Sequence, residues 1–181
     1  MKRTVLTPPD LAGAALADCK RWLAITTAAE DASLTALLGA SAEACEAFTG
    51  AVPLEATCEE VLPACREWQA LATRPVQAIV GIEGIPAEGP RFALAAGAYE
   101  VELDADGTGR VRLLRQGAEG RIAVRFAAGL VPEWDALPGG LRHGIVRLAA
   151  ELYRARDEGA AAALPSAVTA LWRPWRRMRL T

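Results

Sequence analysis

The sequence predicts an α+β fold: an antiparallel helical bundle of about four helices, a small antiparallel β insertion and an extended C-terminal tail. Three observations predict it. Apolar residues recur at helical spacing near both ends, over 11–48 and 141–172. Between about 56 and 130 the helical period gives way to two-residue alternation punctuated by glycine turns. After Pro174 the chain becomes a short run of Trp and Arg.

The first helix is expected to start at Thr7, with Pro8 at the first helical position and Asp10 where a capping-box acid reaches back. Leu11, Ala15, Cys19, Trp22 and Leu23 then share one face. Thr27 and Glu30 form a second capping-box pair. They precede an apolar stripe of Leu34, Leu37, Leu38, Cys45 and Phe48, which Gly50 stops. In the middle, Val76–Ile82 is β-branched. Tyr99, Val101 and Leu103 alternate with Glu100, Glu102 and Asp104. Asp106-Gly107 and Gly117–Gly120 mark turns before Val111–Leu114 and Ile122, Val124 and Phe126. Thr57–Leu62 adds a further candidate strand. Helix returns after Pro138 with Leu141, Ile145, Leu148, Leu152 and Tyr153, and Gly159 stops it. Pro165 opens a last short helix carrying Val168, Leu171 and Trp172. The expected organisation is a helical hairpin over 1–55, a β-rich insertion over 56–130, bundle-completing helices over 131–173 and a docking tail over 174–181. The two helical regions must pack together, since neither alone can bury its stripe.

Composition narrows the function. The 181 residues are 52% hydrophobic and 23% charged, a globular balance. Residues 1–140 hold 12 Lys+Arg against 19 Asp+Glu, while 141–181 hold eight Arg against three acids, so the C-terminal end carries the opposite sign. Cysteines at 19, 45, 58 and 65 have no C-x-x-C spacing, and His143 is the one histidine, so the common Cys/His zinc patterns are missing. Neither a secretory signal nor a membrane-length apolar run is visible, and buried thiols in a reducing bacterial cytoplasm are expected.

Catalytic patterns fail in turn. His143 has no triad companion, and G-x-S-x-G and G-K-[ST] are absent. Counting Asp104 as the first position of a calcium loop puts glycine at the sixth but Arg115 at the twelfth, where a bidentate Glu belongs, so a hairpin turn is the better reading. Glu59 and Glu60 are adjacent, and in a strand they face opposite ways. No catalytic, cofactor-binding or metal-binding residues are expected, and no enzymatic activity. The unusual feature is the carboxyl end, where Trp172, Arg173, Trp175, Arg176, Arg177, Met178, Arg179 and Leu180 cluster. Arg and Trp are the types most enriched at binding hot spots. Such a tail either folds back onto its own helices or docks on another protein. A basic, aromatic run can also hold phosphates and stack on bases.

The ordered combination of these stretches resembles the head–tail connector (adaptor) proteins of long-tailed phages, prophages and gene transfer agents. The likeness lies in Leu11–Leu23 with Glu30-Asp31 and Leu34–Gly50; in Arg74–Ile79, Tyr99 and Val124–Gly129; and in Val131-Pro132, Arg142–Leu148, Leu152–Arg156, Leu164–Val168 and Pro174–Leu180. The family usually shows Tyr or Arg where Trp175 stands. The resemblance implies a structural ring of about twelve copies beneath the portal, closed by head-to-tail contacts. Its C-terminal segment would reach into the portal protein through Trp172, Trp175, Arg176, Arg177, Met178, Arg179 and Leu180. The ring would receive the next neck or tail component on its other side and let DNA pass without sequence-specific binding. The expected location is the head–tail interface of a virion or phage-like particle, with no membrane partner. A small nucleic-acid-binding accessory protein using the same basic tail is the alternative.

Overall fold

The computed structural model describes residues 3–156 and 164–176. Among them are four α-helices and eight strands, and the strands form a five-stranded and a three-stranded sheet. This overturns the expected helical bundle with a small β insertion: sheet is a major component. The expectation weighed the two long helical stripes and underweighted strands whose partners lie far away in sequence. The chain divides into two compact units, 1–8 with 55–129, and 9–54 with 130–181.

The first unit is built around β8 (Glu119–Ala128). Its antiparallel neighbours are β2 (Ala56–Pro63) and β4 (Val76–Pro86). Beyond them lie β1 (Arg3–Thr7) and β5 (Phe92–Ala93), giving the order β1-β2-β8-β4-β5. Alternation along β8 sends Ile122, Val124, Phe126 and Ala128 into the core, where they meet Cys58 and Leu62 of β2 and Ile82 of β4. The smaller sheet runs β3 (Gln69–Ala70), β7 (Gly109–Leu113) and β6 (Tyr99–Leu103), and Val111 and Leu113 join the same core. Between β6 and β7, Asp106-Gly107 forms a tight turn: Gly107 takes φ +80°, its N–H donates to Asp104 O, and the Asp106 carboxylate accepts the Thr108 N–H. A Cβ on Gly107 would also stand 2.5 Å from Pro75.

β1 replaces the expected helix start at Thr7. Arg3–Thr7 is extended and pairs antiparallel with β2. Asp10 does not cap a helix at Thr7; it accepts the Ala12 N–H in a local turn. The first helix begins only at Ala14. Cross-strand pairing to a segment some fifty residues later outweighs the local capping signature.

Glu60 is the one carboxylate of β2 on the core face, opposite Val124. It is buried and accepts three hydrogen bonds, from the Ala72 and Thr73 N–H groups at 2.9 Å and from the Thr73 hydroxyl at 2.6 Å. A buried charge is tolerated when hydrogen-bonded in this way, and it ties β2 to the turn that leads into β4. Its neighbour Glu59 points to the other face, where Arg91 donates to it at 2.9 Å, and Glu83 bridges Arg91 and Arg125.

The second unit contains α1 (Ala14–Leu23), α2 (Asp31–Thr49), α3 (Gly139–Arg154) and α4 (Ser166–Trp172). One core gathers Ala15 and Cys19 of α1, Leu34, Leu38 and Cys45 of α2, Leu141, Ile145 and Ala149 of α3, and Val168 and Trp172 of α4. The N- and C-terminal helices do share one interior. α2 ends where glycine was expected to stop it, Gly50 at φ +77°. No side chain caps its start: the helix begins at Asp31, and Thr27 lies outside it. Lys20 of α1 instead reaches the Asp31 carboxylate at 2.5 Å, next to the positive end of the α2 dipole. A short 3₁₀ turn, Trp134–Ala136, buries Trp134, whose indole N–H donates to Asp18 of α1 at 2.9 Å.

Two outcomes test these interiors. Glu60→Ala strands three donors, two of them in the buried Thr73, and should lower unfolding free energy by about 3 kcal/mol in urea titration. Cys19, Cys45 and Cys58 are buried, and burial, with Glu46 beside it, pushes the Cys45 thiol up to about 12. Native protein at pH 8 should therefore react with a thiol reagent at Cys65 alone, and at all four cysteines once unfolded.

Candidate partner-docking surface

The carboxyl end is set by α4 and by the 3₁₀ turn that continues it, Arg173–Trp175. Pro165 stands immediately before α4. Pro174 cannot donate to a continuing helix, so the last turn tightens and the chain turns out to extended backbone at Arg176. The Arg176 N–H closes the turn on Arg173 O at 3.1 Å.

Trp172 and Trp175, three positions apart, have opposite fates. Trp172 is fully buried, at 0% exposure. Its indole N–H points to Leu141 O at 3.4 Å, and its ring packs 6.0 Å from Phe48. Gly144 of α3 makes room for it: a Cβ there would stand 2.2 Å from the indole nitrogen. Trp172 is thus a core residue of its own unit, and its ring is not offered outward. Trp175 is 40% exposed, with its indole nitrogen near Gly140 at the start of α3. Arg173, Pro174 and Arg176 are exposed. The Arg176 guanidinium lies over Phe48, 5.5 Å from the ring centroid, which steadies the stem of the side chain on an apolar surface. The structure therefore brings Trp175 and Arg176 together at the surface. Arg177, Met178, Arg179 and Leu180 lie outside the described residues.

A second surface feature escaped the sequence reading. Trp22 was expected on the apolar face of α1, yet it is 43% exposed and meets the His143 ring edge-on at 5.1 Å. The two rings line a shallow hollow with Asp18, Arg21, Gly139, Arg142 and Val146. Only helical spacing spoke for Trp22, and spacing does not tell a core position from its rim. Here Asp18 is taken by Trp134 and Arg21, and Arg142 reaches Asp135 at 3.5 Å, so the hollow shows no convergent acid–base pair. Trp68 is similarly at the surface, with Arg112 stacked 4.7 Å from its ring centroid. Among the described residues no cluster of His, Cys, Asp and Glu has metal-binding geometry, and no helix is long and apolar enough to cross a membrane.

Comparison with known structures gives full-length likenesses. The chain matches, over 100% of its length and 98% of theirs, a chain in the neck of an empty gene transfer agent particle computed with C6 symmetry (29% identity, TM-score 0.78). It matches equally fully a chain in the virion of a native gene transfer agent particle (30% identity, TM-score 0.76). A third is a chain in the neck of a native particle computed with C12 symmetry (28% identity, TM-score 0.77). No protein-family model and no curated protein matches the chain.

The seat of Trp172 sets up a direct measurement. Gly144→Ala forces a methyl into the indole and should destabilise the fold by about 2 kcal/mol in chemical denaturation, with tryptophan emission moving to longer wavelength. Gly139→Ala, where a Cβ meets nothing within 4 Å, should leave that emission in place.

Proposed function

We propose a role in the particle neck, because the chain belongs to the head–tail connector (adaptor) family of long-tailed phages, prophages and gene transfer agents. It is a structural neck component at the head–tail interface of a phage-like particle, and no reaction is part of its role. The observation that carries this is the end-to-end likeness to chains of gene transfer agent necks, which leaves no segment of this chain without a counterpart.

The finer reading is a ring of about twelve copies beneath the portal, closed by head-to-tail contacts, that joins capsid to tail and lets DNA pass through. The similar neck structures computed with sixfold and twelvefold symmetry support a ring, and the twelvefold one is consistent with that copy number. The portal is the partner of the carboxyl end. Trp175 and Arg176 are the first outward-facing residues after the Pro174 break, and Arg177, Met178, Arg179 and Leu180 continue the same composition. Trp172 leaves the docking set and becomes the residue that anchors its base. Twelve weak docking tails on one portal gain strength by acting together.

Deleting residues 174–181 should give protein that folds but leaves capsids without tails, scored by electron microscopy of particles. Normal filled, tailed particles from that variant would overturn the docking role. Trp175→Ala with Arg176→Ala should cut the yield of tailed particles by on the order of tenfold, as expected for loss of an aromatic and arginine anchor.

A further inference from the structure

Most bases of the second unit have an acid beside them. Lys20, Arg21, Arg142, Arg147 and Arg156 each reach a carboxylate. Among the described residues of this unit, Arg154, Arg173 and Arg176 reach none. Arg154 ends α3, where a positive charge offsets the negative end of the helix. The end of the seven-residue α4 offers the same benefit to a base nearby. The sequence places four bases there, Arg173, Arg176, Arg177 and Arg179, and no acid follows Glu158 in the chain.

The turn after α4 sharpens this imbalance. The Arg176 N–H closes it on Arg173 O at 3.1 Å. Residues three apart in a 3₁₀ turn eclipse, so the stems of Arg173 and Arg176 leave it on the same side. Like charges so placed repel. The Arg176 guanidinium rests over Phe48, which steadies it but supplies no countercharge. Arg173 is exposed. Between them in sequence, Trp175 keeps 40% of its surface in water. Two cations without counterions beside a half-covered indole gain most from a surface that takes the charge and covers the ring together. A DNA duplex could take the charge, but its bases are already stacked on one another and offer no ready cover for an indole. An acidic protein cleft supplies both.

We propose that the portal surface receiving this end is acidic, with carboxylates that pair with Arg173 and Arg176 around a pocket for the Trp175 indole. The inference rests on the docking role proposed above. It adds Arg173 to the residues that dock and gives their receptor a chemistry. Arginine suits that receptor, because its planar fork meets a carboxylate through two parallel hydrogen bonds. Docking driven in part by charge weakens as salt screens it.

Binding of the full-length chain to purified portal protein of the same particle, at about 50 mM and about 300 mM salt, tests this. The wild type should bind on the order of tenfold more weakly at the higher salt. Arg173→Glu with Arg176→Glu should abolish binding. Arg173→Lys with Arg176→Lys retains the charge without the fork, and should bind more tightly than the Glu pair and less tightly than the wild type. All four changes are at exposed positions, so each variant should keep the wild-type circular dichroism spectrum. A short DNA duplex added as competitor should leave the complex intact. Portal binding that ignores salt, or a Glu pair that binds as the wild type does, would overturn the acidic receptor and leave the docking role standing. So would a Lys pair that binds no better than the Glu pair. Displacement by the duplex would assign the charge to nucleic acid instead. A wild-type chain that binds no portal at either salt would bring down both the receptor and the docking role.

Discussion

One steric fact governs the carboxyl end: a tryptophan fits against α3 because residue 144 has no side chain. The 2.2 Å that would separate a Cβ of Gly144 from the Trp172 nitrogen is far below contact distance, so the indole fills the space a methyl would take. That seat, with Val168 one turn earlier in the same core, pins α4 along α3. Once α4 is pinned, the place where the chain leaves the helices is determined, and Pro174 decides that it leaves there. The outward position of Trp175 and Arg176 follows from the inward position of Trp172. For the docking role proposed above a fixed root matters, because ordering a loose root on binding costs affinity.

The unit holding both sheets shows a different economy. Its central strand is paired on both sides, and its interior row is apolar except where Glu60 enters it. That carboxylate is held by three donors from the turn at Ala72-Thr73. A buried acid so held specifies one arrangement of the turn, since any other leaves a charge unpaired.

Much of this was legible in the residues, and the failures have physical causes. The stripes Leu34–Phe48 and Leu141–Tyr153 announced α2 and α3, because helical periodicity is local and survives without knowledge of partners. Asp106-Gly107 announced its turn because only a few residue types accept φ > 0. The strand at Arg3–Thr7 was hidden beneath a helix-start signature, since its partner β2 lies about fifty residues on. The fold class was misjudged for the same reason: sheet content depends on distant pairings that leave weak local marks. At the carboxyl end, composition singled out two tryptophans as equals. The difference between them lay in a glycine on another helix, to which no residue near position 172 pointed. Trp22 shows the converse, an apolar-face position by spacing that ends at a rim.

The interleaving of the two units has a consequence for biosynthesis. Residues 1–8 belong with 55–129, and 9–54 with 130–181, so neither unit is a continuous stretch of message. As the nascent chain emerges, β1 is made first and has nothing to pair with until β2 appears. β2 in turn waits for β8, the strand that bridges it to β4, at the far end of that unit. The α1–α2 hairpin must hold its apolar faces through the whole translation of the sheets before α3 arrives. Large sequence separation between partners slows folding, and exposed faces in the interval invite aggregation. A cell producing many copies at once for a particle would therefore gain from chaperone cover during this delay, and separating 55–129 as a stand-alone fragment would strip the unit of its first strand.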